Sequence, residues 1–524
     1  MRTKSSEGIP VAGRGEGLTL LSEMGLKRLT GAAVWATIAF GFYLATAARD
    51  LSWANSGADG GDLITAAWVG GVPHPSGYPL WLLLAGGLLH LPLGTPAWRA
   101  TLISVAGGAV AVGFTARAAA RLLPRTDPPG WRPMVVGVTA LALMTSPLLW
   151  GQSVIAEVYA LQAGLMALAL EGLLAWSEDG EAAGVRRAAL GWGLALANHL
   201  TALWLAPAAL WLLLRRRPGR RLVGQSLALV LVGPLLYLTL PLRAVALPPI
   251  NWGGADRLGG LLWLVSGRIY RSMVFGLPAR DFIPRISAWL SLTAQQVGPP
   301  GLVLVLWGAT LLVQRRSQLA GPLALFLVFN TVYAISYNTS DSFTYLIPNN
   351  LVLVLLLAVG LAALPGELPH RWQAGPPLAL LALVLLALIP LLTVLRFGRE
   401  TAQSGPQGAA RYVNESVAAL EPGAVVFAQT DEHIFAMWYA AYVVAPRRHI
   451  TVVVDGLLPY EWYRRSLAEN HPTLRWPEGD PANTRAILEA NLDDAPIYLT
   501  EATDRLGHGF EMTPAGPLFR VRRR

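Results

Sequence analysis

The residues best suited to chemistry stand early in the chain, in Asp59-Gly60-Gly61-Asp62 and then Val72-Pro73-His74-Pro75-Ser76-Gly77-Tyr78-Pro79. Two carboxylates at this spacing face one pocket if the second opens a helix, which Leu63 to Val69 continues. A carboxylate beside apolar surface has a raised pKa and can take a proton from a hydroxyl. The competing reading is that Asp59 or Asp62 only caps that helix. Gly60 and Gly61 tilt towards chemistry, since they let a ligand come close to backbone.

Further polar groups interrupt apolar runs. Glu157, in Val154-Ile155-Ala156-Glu157-Val158-Tyr159, is functional by default if it lies at membrane depth, unless a nearby interface solvates it. His199, after Asn198, reads either as a packing residue or as a ligand. Arg243 follows Pro241-Leu242, where it either snorkels to headgroups or clamps a phosphate by paired hydrogen bonds. Asn251 and Trp252, and further on Arg271 in Gly267-Arg268-Ile269-Tyr270-Arg271, suit a sugar face and an anionic headgroup. Such residues are also the ordinary occupants of a membrane interface. Tyr337-Asn338-Thr339-Ser340-Asp341 reads as a loop-exit turn. No zinc-ligand spacing, P-loop or dinucleotide fingerprint is present, so neither a metal nor a cofactor is expected.

The elements that must position these groups are transmembrane helices. Of 524 residues, 53% are hydrophobic and 14% charged, with a mean hydropathy of +0.45. Soluble domains carry about 25% charge and could not hide this much apolar surface. The absence of cysteine removes disulfides and thiolate metal sites. The net charge of +9 does not point to nucleic acid. Many arginines stand in short gaps between apolar runs, among them Arg117, Arg121, Arg186, Arg187, Arg215 to Arg217 and Arg315, as cytoplasmic loops require.

Apolar runs at 30–48, 98–122, 133–150, 154–176, 186–198, 200–214, 222–242, 299–314, 319–337, 345–364 and 376–396 predict about eleven crossings. The pair 186–198 and 200–214 is short enough to be one broken element. Segment 78–93 is expected to lie at the outer interface without crossing. With Lys27 and Arg28 inside, the N-terminal segment 1–29 is cytoplasmic. Cleavage of the first apolar run as a signal peptide is the alternative. The transmembrane domain then covers 30–397, with outer loops 49–97 and 243–298. From 398 to 524 acidic residues become dense. Ala424–Ala428, Ile450–Val454 and Pro496–Thr500 read as strands, and 432–443 and 459–469 as helices. That pattern predicts a C-terminal soluble α/β domain outside the cytoplasm.

Several blocks then resemble one polytopic family in the same order. They are Asp59 to Ala67, Gly71 to Leu80, Trp98-Arg99, Ala156 to Tyr159, Asn198-His199, Pro241 to Arg243 and Pro249 to Gly253. The family includes a eukaryotic membrane protein O-mannosyltransferase and many bacterial proteins, and is similar to the GT-C glycosyltransferases. The likeness runs from residue 30 to about 350, and more faintly over 424–463. It implies a GT-C-like membrane enzyme of the inner or plasma membrane. Such an enzyme moves a sugar, mannose or a similar hexose, from a polyprenyl-phosphate donor to an acceptor hydroxyl on a protein or glycan, with inversion. A catalytic carboxylate in the first outer loop matches Asp59 and Asp62. Asp62 stands where the family commonly has Glu, and Ala58 where it has Gly, so the role of Asp62 is the less secure. The resemblance makes Asp59 the base and Arg243 the phosphate clamp. His74 and His199 are further candidates for that clamp, and Tyr78, Glu157, Asn251, Trp252 and Arg271 complete the substrate contacts. Membrane lipid is a partner; nucleic acid is not. A lipid-sugar transporter or flippase is the rival reading, but it would usually carry internal repeats, and none is found. A non-catalytic membrane scaffold would leave the loop-one carboxylates idle.

Overall fold

The computed structural model describes residues 31–123, 131–367, 376–405, 408–503 and 509–524. Segment 1–29, with Lys27 and Arg28, lies outside the described residues. The first part of the chain is helical throughout, with α1 at Gly31–Thr46, α2 at Gly60–Trp68, α3 at Pro79–Leu88 and α4 at Pro96–Leu122. Next come α5 at Trp131–Met144, α6 at Pro147–Ser153, α7 at Tyr159–Asp179, α8 at Ala182–Leu196, α9 at Ala206–Arg216 and α10 at Arg220–Leu236. They are followed by α11 at Thr239–Ala244, α12 at Leu258–Val265, α13 at Phe282–Arg315, α14 at Ser317–Ser336, α15 at Ile347–Glu367 and α16 at Pro376–Thr401.

This is a polytopic helical membrane protein. Among the described residues six helices are long and apolar enough to cross a bilayer, and α5 with α6, bent by 62°, makes a seventh. About eleven crossings were expected from hydropathy, and the difference has local causes. The break at Asn198-His199 leaves α8 and α9 as two short helices joined by a 3-10 turn, Leu200–Leu205. Helix α1 is also short. Helix α3, not expected to cross, has 10 residues and spans only about 15 Å, half of a bilayer core, as an interfacial segment should.

Two readings of the sequence are corrected. Residues 282–298 were expected as loop, yet they form the first half of α13. Gly298, at φ 69° and ψ 160°, breaks that helix just before Pro299-Pro300, which lack the donors to continue it smoothly. The three residues together imitate a loop boundary. Arg117 and Arg121 are not loop residues either, because both are buried on α4. Arg121 donates to the buried Glu171 of α7 at 2.8 Å, and Arg187 donates to its other oxygen at 3.3 Å. Arg117 pairs with the same carboxylate at 2.9 Å. A carboxylate inside an apolar bundle is held by neutralising partners, and here three arginines from two helices do so.

The C-terminal part contains α17 at Gly408–Ala419, β1 at Val425–Ala428, α18 at Asp431–Tyr439, β2 at Thr451–Val454 and α19 at Glu461–Asn470. Helix α20 at Thr484–Asn491 precedes β3 at Ile497–Leu499, β4 at Phe510–Ala515 and β5 at Leu518–Arg523. The sheet order is β2-β1-β3-β5-β4, parallel through the first three strands and antiparallel through the last two. Strands β1 to β3 are buried along their length, as continuous apolar runs covered on both faces should be. The hairpin β4–β5 was not anticipated, because β4 is half-exposed and β5 carries three arginines, so neither has such a run.

Candidate functional site

The first loop divides its two carboxylates. Asp59 occupies the N-cap position of α2 but makes no side-chain capping bond, which leaves its carboxylate free for other work. Asp62, one turn in, is fully buried. Its Oδ2 accepts from the backbone N–H of His74 at 2.8 Å and from the ring Nδ1 at 2.7 Å. Its Oδ1 accepts from the Trp252 indole at 3.2 Å. The other ring nitrogen, Nε2, stands 2.9 Å from the Tyr78 hydroxyl and 3.3 Å from Asp59 Oδ2. Tyr78 donates its own proton to the Pro75 carbonyl at 3.0 Å, so its oxygen is free to accept from the imidazole.

Trp252 reaches this pair because its segment is tied to the first loop. Val72 donates to Ile250 O at 2.9 Å, Trp252 donates back to Val72 O at 3.1 Å, and Val72 bridges Asn251. Asn251 is itself buried and donates to Ala244 O at 3.4 Å. Asn251 and Trp252 thus support the loop from behind.

The electrostatics follow from this chain of contacts. Burial alone would push the Asp59 carboxyl up, but the His74 charge and hydrogen bond outweigh it and hold the group below its ordinary value. Burial opposes charge on His74, yet Asp59 and then Asp62 raise its pKa well above the usual histidine range. His74 is therefore an imidazolium set between two carboxylates. His199 is the opposite case: burial, and then the His74 charge, lower it to about 4. Its Nδ1 lies 2.9 Å from the Thr201 hydroxyl and 3.3 Å from the Thr201 N–H, and the tautomer in which it accepts from both carries the ring proton on Nε2.

Asp59, His74, Tyr78 and His199 line a cavity of about 240 Å³. Its wall also contains Tyr159, Tyr270, Tyr333, Tyr337 and Tyr345, together with Asp341 and Asp431. His199 packs against Tyr78, Tyr159 and Tyr345, at ring-centroid distances of 6.1, 5.4 and 5.4 Å. A second cavity of about 340 Å³ has almost wholly apolar walls, including Leu148, Trp289, Leu292, Leu327, Val328 and Leu353. Consecutive residues of the same elements line the two: Val332 and Leu346 the apolar one, Tyr333 and Tyr345 the polar one.

Of the residues singled out from the sequence, the cavity brings together Asp59, His74, Tyr78 and His199. Asp62, Asn251 and Trp252 stand behind them. Glu157 is buried outside the lining, with Oε2 accepting from Val158 N at 3.3 Å and Oε1 without a partner among the described residues. Arg243 lies half-buried on α11 and Arg271 is exposed, and neither is among the lining residues. Sequence reasoning missed Asp341, Asp431 and the tyrosine wall. Tyr333 and Tyr337 stand one helical turn apart at the end of α14, and that spacing was the available signal.

Comparison with known proteins agrees with this architecture. Residues 59–221 match the family model described as the protein O-mannosyl-transferase TMEM260 N-terminal domain. Over 497 residues the chain is 26% identical to the mouse (Mus musculus) protein O-mannosyl-transferase TMEM260, covering 89% of this chain and 68% of that one. Among solved structures it is similar to ArnT from Cupriavidus metallidurans bound to undecaprenyl phosphate, with a TM-score of 0.56 and 14% identity. That match covers 93% of this chain and 97% of the other. The apo form of the same protein gives a TM-score of 0.53 at 14% identity, over 96% and 98% of the two chains. The fold is similar to that of ArnT, and the O-mannosyl-transferase resemblance drawn from the loop-one residues is borne out by the family model and the mouse relative.

Proposed function

We propose that this chain is a membrane glycosyltransferase that moves a sugar, mannose or a similar hexose, from a polyprenyl-phosphate donor to an acceptor hydroxyl on the extracytoplasmic side. The observation that carries the reading is the position of Asp59, a carboxylate open to a polar cavity and fixed by an imidazolium that Asp62 orients. The names of the similar proteins support the chemistry: one is a protein O-mannosyl-transferase, and the other was solved with undecaprenyl phosphate.

In this mechanism the acceptor oxygen attacks the anomeric carbon from the side opposite the phosphate. Its proton passes to Asp59 as the bond from the anomeric carbon to the phosphate oxygen breaks, and the sugar inverts. Asp62 is a positioning residue, acting through His74. The departing phosphate is met by donors, and the Nε2–H of neutral His199 and the tyrosine hydroxyls of the wall supply them. Arg243 and Arg271, expected as contacts to an anionic headgroup, stand outside the cavity lining. Either would serve only if the donor's phosphate extends beyond it. The apolar cavity next to Tyr333 and Tyr345 takes the first isoprene units of the donor. The C-terminal domain, 398–524, then sits on the acceptor side of the membrane.

The test is incubation of the purified protein with a panel of polyprenyl-phosphate sugars, with release of lipid phosphate measured by mass spectrometry. Release from a hexose donor that depends on an added acceptor supports the reading. Failure with every donor overturns it.

A further inference from the structure

The C-terminal domain is built into the cavity wall. A Cβ added to Gly61, between the two loop-one carboxylates, would lie 2.5 Å from the Phe435 carbonyl oxygen, so only glycine admits α18 this close to α2. The Phe435 ring stacks on the His74 imidazole with centroids 6.0 Å apart and planes at 17°. Trp438, one turn further, meets Trp252 edge-on at 6.1 Å, and Trp252 is the residue that donates to Asp62. Helix α18 is therefore keyed to the pair His74–Asp62, and its first residue, Asp431, opens into the same cavity as Asp59.

What enters must satisfy this wall. Asp341 lines the cavity as well, which gives three carboxylates, while no arginine or lysine is among the described lining residues. Asp431 has no hydrogen bond or ion pair among the described residues. Asp431 remains solvent-exposed as a residue, and the partial desolvation of its carboxyl beside the cavity, and then the Asp59 charge, raise that carboxyl above the ordinary value. An independent sign of a ligand comes from Tyr159. The residue is 8% exposed, it lines the cavity, and its hydroxyl makes no hydrogen bond among the described residues. His74 is committed to Asp59 and Asp62, so Asp341 and Asp431 have no cationic partner of their own among the described lining residues. Hydroxyl donors satisfy them best, and the Tyr159 phenol completes a set that suits a polyol.

We propose that Asp431 and Asp341, with the Tyr159 hydroxyl, hold hydroxyl groups of the transferred sugar and select a neutral hexose over one that carries a carboxylate. This rests on the transferase reading, and it makes the C-terminal domain part of the sugar site. A uronic acid would bring a further negative charge against Asp59, Asp341 and Asp431, while the one cation among the described lining residues, His74, is already paired with Asp59 and Asp62.

The test uses the full-length protein and two donors that differ only at the sugar, a polyprenyl-phosphate hexose and the corresponding uronic acid. Lipid-phosphate release gives kcat and KM for wild type, Asp431→Asn, Asp431→Glu and Asp341→Asn. Wild type should prefer the hexose at least tenfold in kcat/KM. Asp431→Asn keeps the side-chain shape and leaves the packing of Phe435 and Trp438 in place. It should raise KM for the hexose about tenfold with kcat within about threefold, and it should narrow the preference over the uronic acid. Asp431→Glu should recover part of the KM. Equal use of both donors by wild type would overturn the proposal. So would asparagine variants with unchanged KM and unchanged preference. If wild type releases lipid phosphate from no donor at all, the transferase reading falls first and takes this inference with it.

Discussion

Asp62 grips His74 twice, accepting from its backbone N–H at 2.8 Å and from its ring Nδ1 at 2.7 Å. The two loop-one carboxylates are therefore unequal. One is spent on His74 and the Trp252 indole, and the other faces the cavity. Asp62→Asn should cost about 1–3 kcal/mol of stability, because a buried acceptor set is replaced by a group that also carries donors. Activity should fall about tenfold. Without the second carboxylate the imidazolium weakens, so Asp59 loses part of what lowers its pKa. The acid limb of the kcat/KM profile should therefore move to higher pH. An unmoved limb would show that Asp62 does not act through His74.

The same triad gives a pH dependence of stability. The folded pKa of His74 is raised, so its contribution is fully present below about 6.5, the usual histidine value, and is lost as pH rises through the folded value. The folded pKa of Asp59 is lowered, so its contribution is present above about 3.9 and is lost as pH falls through the folded value. Thermal unfolding in detergent should show a plateau from mildly acidic pH to beyond the ordinary histidine range. His74→Gln should remove the alkaline decline. A wild-type decline centred near pH 6.5 would mean that His74 is not held charged by its partners.

Gly61 carries the docking of α18, and this is open to a direct test. Gly61→Ala places a methyl against the Phe435 carbonyl, so either α2 or α18 must shift. Overpacking of this kind costs about 1–3 kcal/mol, and the shift would also displace Asp59. Melting temperature and turnover should fall together. Gly86→Ala on α3, where nothing lies within 4 Å of the added carbon, should leave both unchanged.

Much of this arrangement could be read from residue types, and the remainder could not for definite reasons. Helix α2 and its two carboxylates were visible because Asp59 to Asp62 opens an apolar run. Strands β1 to β3 were visible as short buried runs. The first half of α13 was hidden by Gly298-Pro299-Pro300, whose local chemistry is that of a loop. The division of labour between Asp59 and Asp62 depends on Trp252, 190 positions away from Asp62, which spacing cannot reveal. Asp341 reads as a turn residue until Tyr333, Tyr337 and Tyr345 are seen to wall the same cavity. Asp431 comes from a different part of the chain altogether. The inverse failure is Arg243, whose residue type suits a phosphate although its position is off the cavity wall.

The orientation of the chain is testable without background, because it has no cysteine. The exposed positions Glu478, in the C-terminal domain, and Gly219, between α9 and α10, are suitable for single substitutions. Glu478→Cys should react with an impermeant maleimide on intact cells. Gly219→Cys should react only after the membrane is opened. The reverse pattern would put the C-terminal domain in the cytoplasm and overturn the proposed side of transfer.

Asp59→Asn is the decisive substitution for the chemistry. The carboxamide keeps the shape of the side chain and the αR turn that opens α2, but it cannot take a proton from the acceptor. General-base catalysis contributes about 10²–10⁴-fold, equivalent to about 3–5 kcal/mol of barrier. Turnover with a hexose donor should therefore fall at least about a hundredfold. The Asp59 side chain is 30% exposed, so the fold should stay intact, but the loss of its charge beside the His74 imidazolium should lower the melting temperature modestly at neutral pH. Donor binding, measured by titration of the polyprenyl-phosphate sugar, should stay within a few-fold of wild type, since the lost group serves the acceptor. A variant that keeps more than about half the activity would remove Asp59 as the base. If Asp62→Asn were at the same time inactive, the proton would have to leave by way of His74, and the roles of the two carboxylates would be exchanged.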